Sequence, residues 1–261
     1  MQVLFKNRYV LDFMATVMFF TRVPINWTFF SDEAPNLTRA VWAFPLIGYL
    51  IGFCSGIIGD ICLFFSLPTF LSCSIAIALS IMISGAFHED GLADMADGFG
   101  AGGSPERINN ILHDSRLGTY GVTALILGLL IRIGLMIGLV ELGYSIAFMM
   151  AVGFASGKLA IIFTRKFFYP SEFAKTGSIV GVISTKNVFI ATLVWFGSVT
   201  FILPFYSILL GVSFVGIGIF LVGLRSNHYL GGITGDVLGA IAFSSELLFL
   251  LALLTVLSVV S

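Results

Sequence analysis

The sequence predicts an all-α, polytopic transmembrane bundle, and three observations predict it. Of 261 residues 58% are hydrophobic, only 10% are charged, and the apolar residues fall into long runs. A soluble domain carries about a quarter charged residues, so a soluble fold of this length could not bury so much apolar side chain. The mean hydropathy of +1.05 agrees. A net charge of −1 gives no electrostatic ground for a nucleic-acid partner. Cys54, Cys62 and Cys73 lack CxxC spacing and sit in or beside apolar runs, so they read as inert buried thiols.

Taken in order, the first apolar stretch, Val10 to Phe20, follows Lys6 and Arg8, is interrupted by Asp12 and runs into Thr21-Arg22-Val23-Pro24. It has no small-residue cleavage site, and it is short for a crossing. An interfacial or half-inserted helix is expected there. Seven spans follow, at about 41–58, 69–87, 118–140, 146–163, 188–203, 206–224 and 237–259. The stretch 188–224 is too long for one crossing, so Leu203-Pro204 is read as a hairpin. No internal repeat or second domain is visible, and residues 1–261 are read as a single integral membrane domain.

Eleven of the thirteen Lys and Arg residues lie before residue 41 or in the loops 88–117, 164–187 and 225–236; only Arg132 and Lys158 fall within spans. The positive-inside rule then places those four segments in the cytoplasm. Gly48, Gly52 and Gly56, and again Gly231, Gly235 and Gly239, recur every four residues, a spacing that lets helix backbones approach closely.

The stretch His88-Glu89-Asp90-Gly91-Leu92-Ala93-Asp94-Met95-Ala96-Asp97-Gly98 carries most of the chemistry. As a helix it puts Asp90, Asp94 and Asp97 on one face. Stacked carboxylates repel unless a cation separates them. A hard divalent ion such as Mg²⁺, sharing its oxygen ligands with substrate phosphates, suits them. The alternative is a solvated loop whose acids face water. Gly98 opens a literal GxGxxG with no βαβ unit around it, so it reads as a flexible turn whose N–H groups approach phosphate.

Further along, Asp114 and Arg116 are candidates to complete a metal site and to grip a phosphate, or else simply mark a helix start. Arg107, in the same loop, is a second phosphate-binding candidate. Gly231, Gly232, Gly235 and Asp236 open the last span, offering a helix N-terminus to an anion and one more carboxylate. His88-Glu89 begins like HExxH, but Leu92 breaks the motif, and His88 is read as substrate-contacting or hydrogen-bonded.

The run HEDGLADMADGFGAGG with the following ERINNILHDSRLGTYG resembles the cobalamin synthase family. The resemblance extends to Phe20-Thr21-Arg22-Val23-Pro24, Phe44-Pro45-Leu46-Ile47-Gly48 and Gly231 through Gly239. The chain departs from the family pattern at Met95, where Thr is usual, and at His113, where Lys is common.

The resemblance implies a multi-pass enzyme of the prokaryotic cytoplasmic membrane, its site facing the cytoplasm and dependent on Mg²⁺. Its reaction would join adenosylcobinamide-GDP to α-ribazole or α-ribazole 5′-phosphate and release GMP, and it allows a homo-oligomer. In-line attack of a hydroxyl on a pyrophosphate needs charge neutralisation, alignment and a proton acceptor. Asp90, Asp94, Asp97 and either Glu89 or Asp114 are the expected metal ligands, and Asp114 or Asp236 the expected base. Two other readings compete. Asp94-x-x-Asp97-Gly98 with Asp114 also resembles the CDP-alcohol phosphotransferases of phospholipid synthesis, without their closing acidic motif. A cation-coupled transporter would instead concentrate its ionisable groups at mid-membrane.

Overall fold

The computed structural model describes residues 7–174 and 181–260, which are helical with one isolated parallel bridge between Pro170 and Ile233. Helix α1 is Arg8–Phe20, capped by the Asn7 side chain. Its 13 residues reach about 20 Å, less than a crossing. Asp12, which interrupts the apolar run, is buried and neutralised: it accepts from Arg39 Nε at 2.6 Å and Trp42 Nε1 at 3.2 Å. That pair ties α1 to the single turns Leu37–Ala40 and Val41–Ala43 that lead into α2 (Phe44–Phe64).

The remaining helices are α3 (Thr69–Ser84), α4 (Phe87–Ala101), α5 (Pro105–Leu112), α6 (Thr119–Glu141), α7 (Ile146–Phe167), α8 (Thr185–Val199), α9 (Phe205–Leu230) and α10 (Gly235–Val260). Among the described residues five stretches are long and apolar enough to cross a membrane: Leu37–Phe64, α6, α7, α9 and α10 as far as Val259. The number rises to six if α3 and α4, bent by 87°, count as one broken span. Seven full crossings are therefore not found. The run 69–87 stops early because Gly85 (φ 67°) and Ala86 (φ 59°) both turn left-handed and redirect the chain. A left-handed alanine costs about 1–2 kcal/mol, so packing holds this corner. Arg22 lies against Gly85 and donates its N–H to the Ile83 carbonyl at 2.8 Å. The run 188–203 yields only the 15 residues of α8; Pro204 then starts α9, as a hairpin requires. Of the three cysteines, Cys73 is buried as expected, whereas Cys54 is exposed on the outer surface of α2.

The bundle is built around α7, the most deeply buried span. The Gly48, Gly52 and Gly56 stripe of α2 lies directly on the α7 backbone at Ala155, Met150 and Ala147, where a Cβ has no room. Asp60 at the far end of α2 takes Ser145 Oγ (2.6 Å) and the N–H groups of Ile146 and Ala147 (2.8 and 3.1 Å). A carboxylate there suits the positive end of a helix dipole. At the opposite end the loop after α7 is stitched to the α9–α10 turn. Ile233 N–H donates to Tyr169 O (3.0 Å), Ser171 N–H to Ile233 O (3.1 Å), and Ser171 Oγ to Leu230 O (2.6 Å). Two of the four segments expected to share one face, the loop after α7 and the α9–α10 turn, thus meet at one end. Lys6 and Lys175, two of the basic residues behind that expectation, lie outside the described residues.

Candidate active site

Helix α4 runs back along the first half of α6 and against the start of α10. Glycine decides how closely. A Cβ on Gly91 would come within 2.5 Å of the Asp236 carbonyl oxygen and 3.1 Å of Gly239 Cα. Three glycines inside this 15-residue helix, Gly91, Gly98 and Gly100, each cost about 1 kcal/mol of helix propensity. Gly91 allows two backbones to touch, and Gly98 lets the Ile108 and Leu112 side chains close on α4. Glu89 and Asp90 in the first turn offset part of that cost through the helix dipole.

This contact brings together carboxylates that sequence separates by well over a hundred residues. Asp94 stands half-buried, and its charge interacts with those of Asp90, Asp236 and Asp97. Asp236 is also half-buried and interacts with His113 and Asp90. Asp90 is exposed, so the grouping opens to solvent. Asp236 does not cap α10: Thr234 Oγ1 accepts the Val237 N–H at 3.4 Å. The Asp236 carboxylate instead accepts hydrogen bonds from the Thr234 side chain and from its own N–H in the first turn of α10.

Asp97 does a different job at the same mouth. Its two oxygens accept the N–H groups of Gly118 (2.7 Å) and Gly121 (2.8 Å), so a side chain of α4 caps α6 from outside. The spacing of Asp97 from Gly118 gives no sign of this. Asp114 and Arg116 pair with each other at 2.8 Å on the exposed loop. Hydrogen bonds from the Arg116 side chain and backbone hold the Asp114 carboxyl below its usual range. Neither caps α6, whose N-cap residue is Gly118.

Other expected site residues are placed less favourably for a ligand. Gly98 is not in a turn. It lies inside α4 with its face against Ile108 and Leu112, and the chain turns only at Gly102 and Gly103. Its N–H is committed to the helix, because the packing of α5 extends α4 beyond the glycine-rich start. Arg107 is exposed, its side chain lying along Gly103. Gly231 is the left-handed C-cap of α9, Gly232 packs against the Pro170–Ser171 backbone, and Gly235 opens α10. The three histidines do not converge. His88 is buried, His113 is exposed with its Nδ1 2.9 Å from the Asn109 carbonyl oxygen, and His228 is exposed next to Tyr229.

His88 and Glu89 belong to a second, buried set of groups. Arg132 of α6 forms a two-point pair with Glu246 of α10, at 2.7 and 2.8 Å, and donates to Glu89 Oε1 at 3.1 Å. Lys158 of α7 lies 3.5 Å from His88 Nδ1 and over the rings of Phe20 and Phe154. His88 itself stacks on Phe20. The sequence shows Arg132 and Lys158 inside spans but names no partner for them, and its motifs do not single out Glu246 in the run 237–259. The usable signal is a charged residue in the middle of each of three apolar runs, which in a membrane demands a partner.

Carboxylate oxygen is the donor chemistry Mg²⁺ prefers, and the mouth offers it from two helices. Among the described residues no three His, Cys, Asp or Glu side chains are gathered closely enough to hold an ion as they stand. Mg²⁺ commonly takes only one or two carboxylates, completing its shell with water and substrate phosphate, so the donor set still fits.

The family model described as cobalamin-5-phosphate synthase matches residues 12–254. The chain belongs to that family. Among its relatives is an adenosylcobinamide-GDP ribazoletransferase of Clostridium botulinum (strain Okra / Type B1), 34% identical over 252 residues, covering 94% of this chain and 98% of the relative. Proteins of the same name from Azorhizobium caulinodans and Shewanella halifaxensis are 32% and 33% identical, covering 95% and 93% of this chain and 97% and 94% of their own. No solved structure matches the chain significantly. The family match runs from Asp12 in α1 into α10, so it includes both the α4 carboxylates and Asp236.

Proposed function

We propose that this protein is the Mg²⁺-dependent transferase that joins adenosylcobinamide-GDP to α-ribazole or α-ribazole 5′-phosphate. The products are adenosylcobalamin, or its 5′-phosphate, and GMP. The observation that carries this reading is the meeting of Asp90 and Asp94 with Asp236 at one solvent-open mouth, in a chain of the cobalamin-5-phosphate synthase family. A pyrophosphate brings several negative charges to a site already rich in carboxylate. Only a cation shared between them makes that approach favourable.

In this reading Asp90 and Asp94 hold Mg²⁺, which when bound neutralises phosphate charge and steadies the leaving GMP. Asp97 contributes by fixing α4 to the α6 N-terminus. Asp236, in the first turn of α10, orients the incoming ribose hydroxyl or accepts its proton. Asp114 and Arg116, paired on the rim, meet substrate rather than metal. In this reading the mouth faces the cytoplasm from a bacterial inner membrane, and the distribution of basic loops supports that orientation.

The test is an assay of purified protein in liposomes with adenosylcobinamide-GDP, α-ribazole and Mg²⁺, following GMP and cobalamin together. Equimolar formation of both, lost on chelation and restored by Mg²⁺, is expected. Release of CMP from a CDP-activated alcohol instead of GMP would replace this reading with phospholipid synthesis. Product formation unaffected by chelation would remove the metal from it.

A further inference from the structure

Four charges lie buried between helices, behind the open mouth: Glu89 on α4, Arg132 on α6, Lys158 on α7 and Glu246 on α10. Two are positive and two negative, so the set is neutral as a whole. Arg132 is central, one nitrogen reaching Glu89 while two others grip Glu246. Its guanidinium is sandwiched near the Phe154 and Phe243 rings at 4.7 and 5.4 Å, which fixes the plane of its fork. Lys158 completes the balance from the other side, close to His88.

We infer that this neutral set is a clamp that fixes the depth and rotation of α4, making Arg132, Glu246 and Lys158 positioning residues for the site. Glu89 and His88 precede Asp90 directly, and one residue of rotation about a helix is about 100°. Holding Glu89 on Arg132 therefore dictates where Asp90 and Asp94 point. The other attachments leave that rotation less defined. Gly91 against α10 is a smooth backbone contact, and Asp97 holds the far end. Arg132 is bonded to α4 and α10 at once, so it sets Asp94 relative to Asp236. Glu89 is thereby assigned to the clamp and not to the metal. The inference rests on the proposed Mg²⁺ site only for its consequence in metal binding, not for the clamp itself.

The test uses the double variant Glu89→Leu/Lys158→Met, which removes one charge of each sign and keeps the Arg132–Glu246 pair. Hydrogen exchange of the purified protein in detergent should show the amides of α4 exchanging about tenfold faster, with α7 and the distal half of α10 protected as before. Mn²⁺ affinity, read by electron paramagnetic resonance, should weaken about 10–100-fold, the range for residues that orient metal ligands. Unchanged exchange in α4 overturns the clamp. So does uniform acceleration across all helices, which marks simple destabilisation. If the wild-type protein binds no Mn²⁺, the metal reading fails while the exchange result still decides the clamp. Arg132→Lys, which keeps the charge and loses the fork, guards against a double variant that does not fold. It should give an intermediate acceleration confined to α4, and wild-type exchange there overturns the clamp equally.

Discussion

Two faces of α4 carry acids of similar kind in opposite circumstances. On the buried face Glu89 meets Arg132, and Glu246 and Lys158 complete a neutral group. On the open face Asp90 and Asp94 share their surroundings with Asp236, another acid. Burying a charge without a partner is expensive, so the inner face must be balanced by the protein itself. The outer face is in contact with water and can remain unbalanced until a cation and a phosphate arrive. The difference separates structural charge from functional charge along a single 15-residue helix.

Substitutions on either face of α4 test this contrast. The largest effect is expected from Asp94→Asn, which removes the carboxylate at the centre of the outer group. GMP release should fall below detection while the variant inserts and purifies like wild type. Normal turnover at limiting Mg²⁺ would show that the outer group is merely solvated.

Asp236→Asn comes next, with kcat reduced about 10²–10⁴-fold and substrate binding largely kept. Asn caps helices about as well as Asp, and Thr234 already provides that cap. Loss of a first-turn charge costs about 1 kcal/mol or less of helix stability, too little to imitate the effect. Steady-state kinetics with a near-normal kcat would return Asp236 to a bystander role.

On the inner side, Arg132→Met strands two carboxylates with one lysine. The cost is expected at about 3–5 kcal/mol of stability, the range for breaking a buried pair. Denaturant unfolding in mixed micelles would measure it. A change below about 1 kcal/mol would place these charges with weak surface pairs.

Gly91→Ala tests the joint between the two regions. The new methyl would meet the Asp236 carbonyl and push α4 off α10. Overpacking of this kind costs about 1–3 kcal/mol, and activity should fall with stability. The smallest effect is expected at Asp114→Asn, since that carboxylate pairs with Arg116 on an exposed loop. A loss of kcat as deep as that of Asp236→Asn would move Asp114 into the proton-transfer role.

Much of this molecule is legible in its sequence alone. Apolar runs mark the spans, since a bilayer demands continuous apolar helix and little else. The i, i+4, i+7 spacing places Asp90, Asp94 and Asp97 on one helix, because helical period is a local property. Pro204 marks a break between helices for an equally local reason, the ring's conflict with a helix interior. The ordered motifs point to the family to which the chain belongs. Tertiary structure alone decided that the run 69–87 ends at a left-handed corner, that Asp97 caps α6 and that Gly98 is packed inside a helix. It alone separated Glu89, held by Arg132, from Asp90, left open one residue later. The physical reason is the same for both carboxylates: whether a charge is neutralised depends on what another helix brings within about 3 Å, and that distance is set by packing between segments remote in sequence.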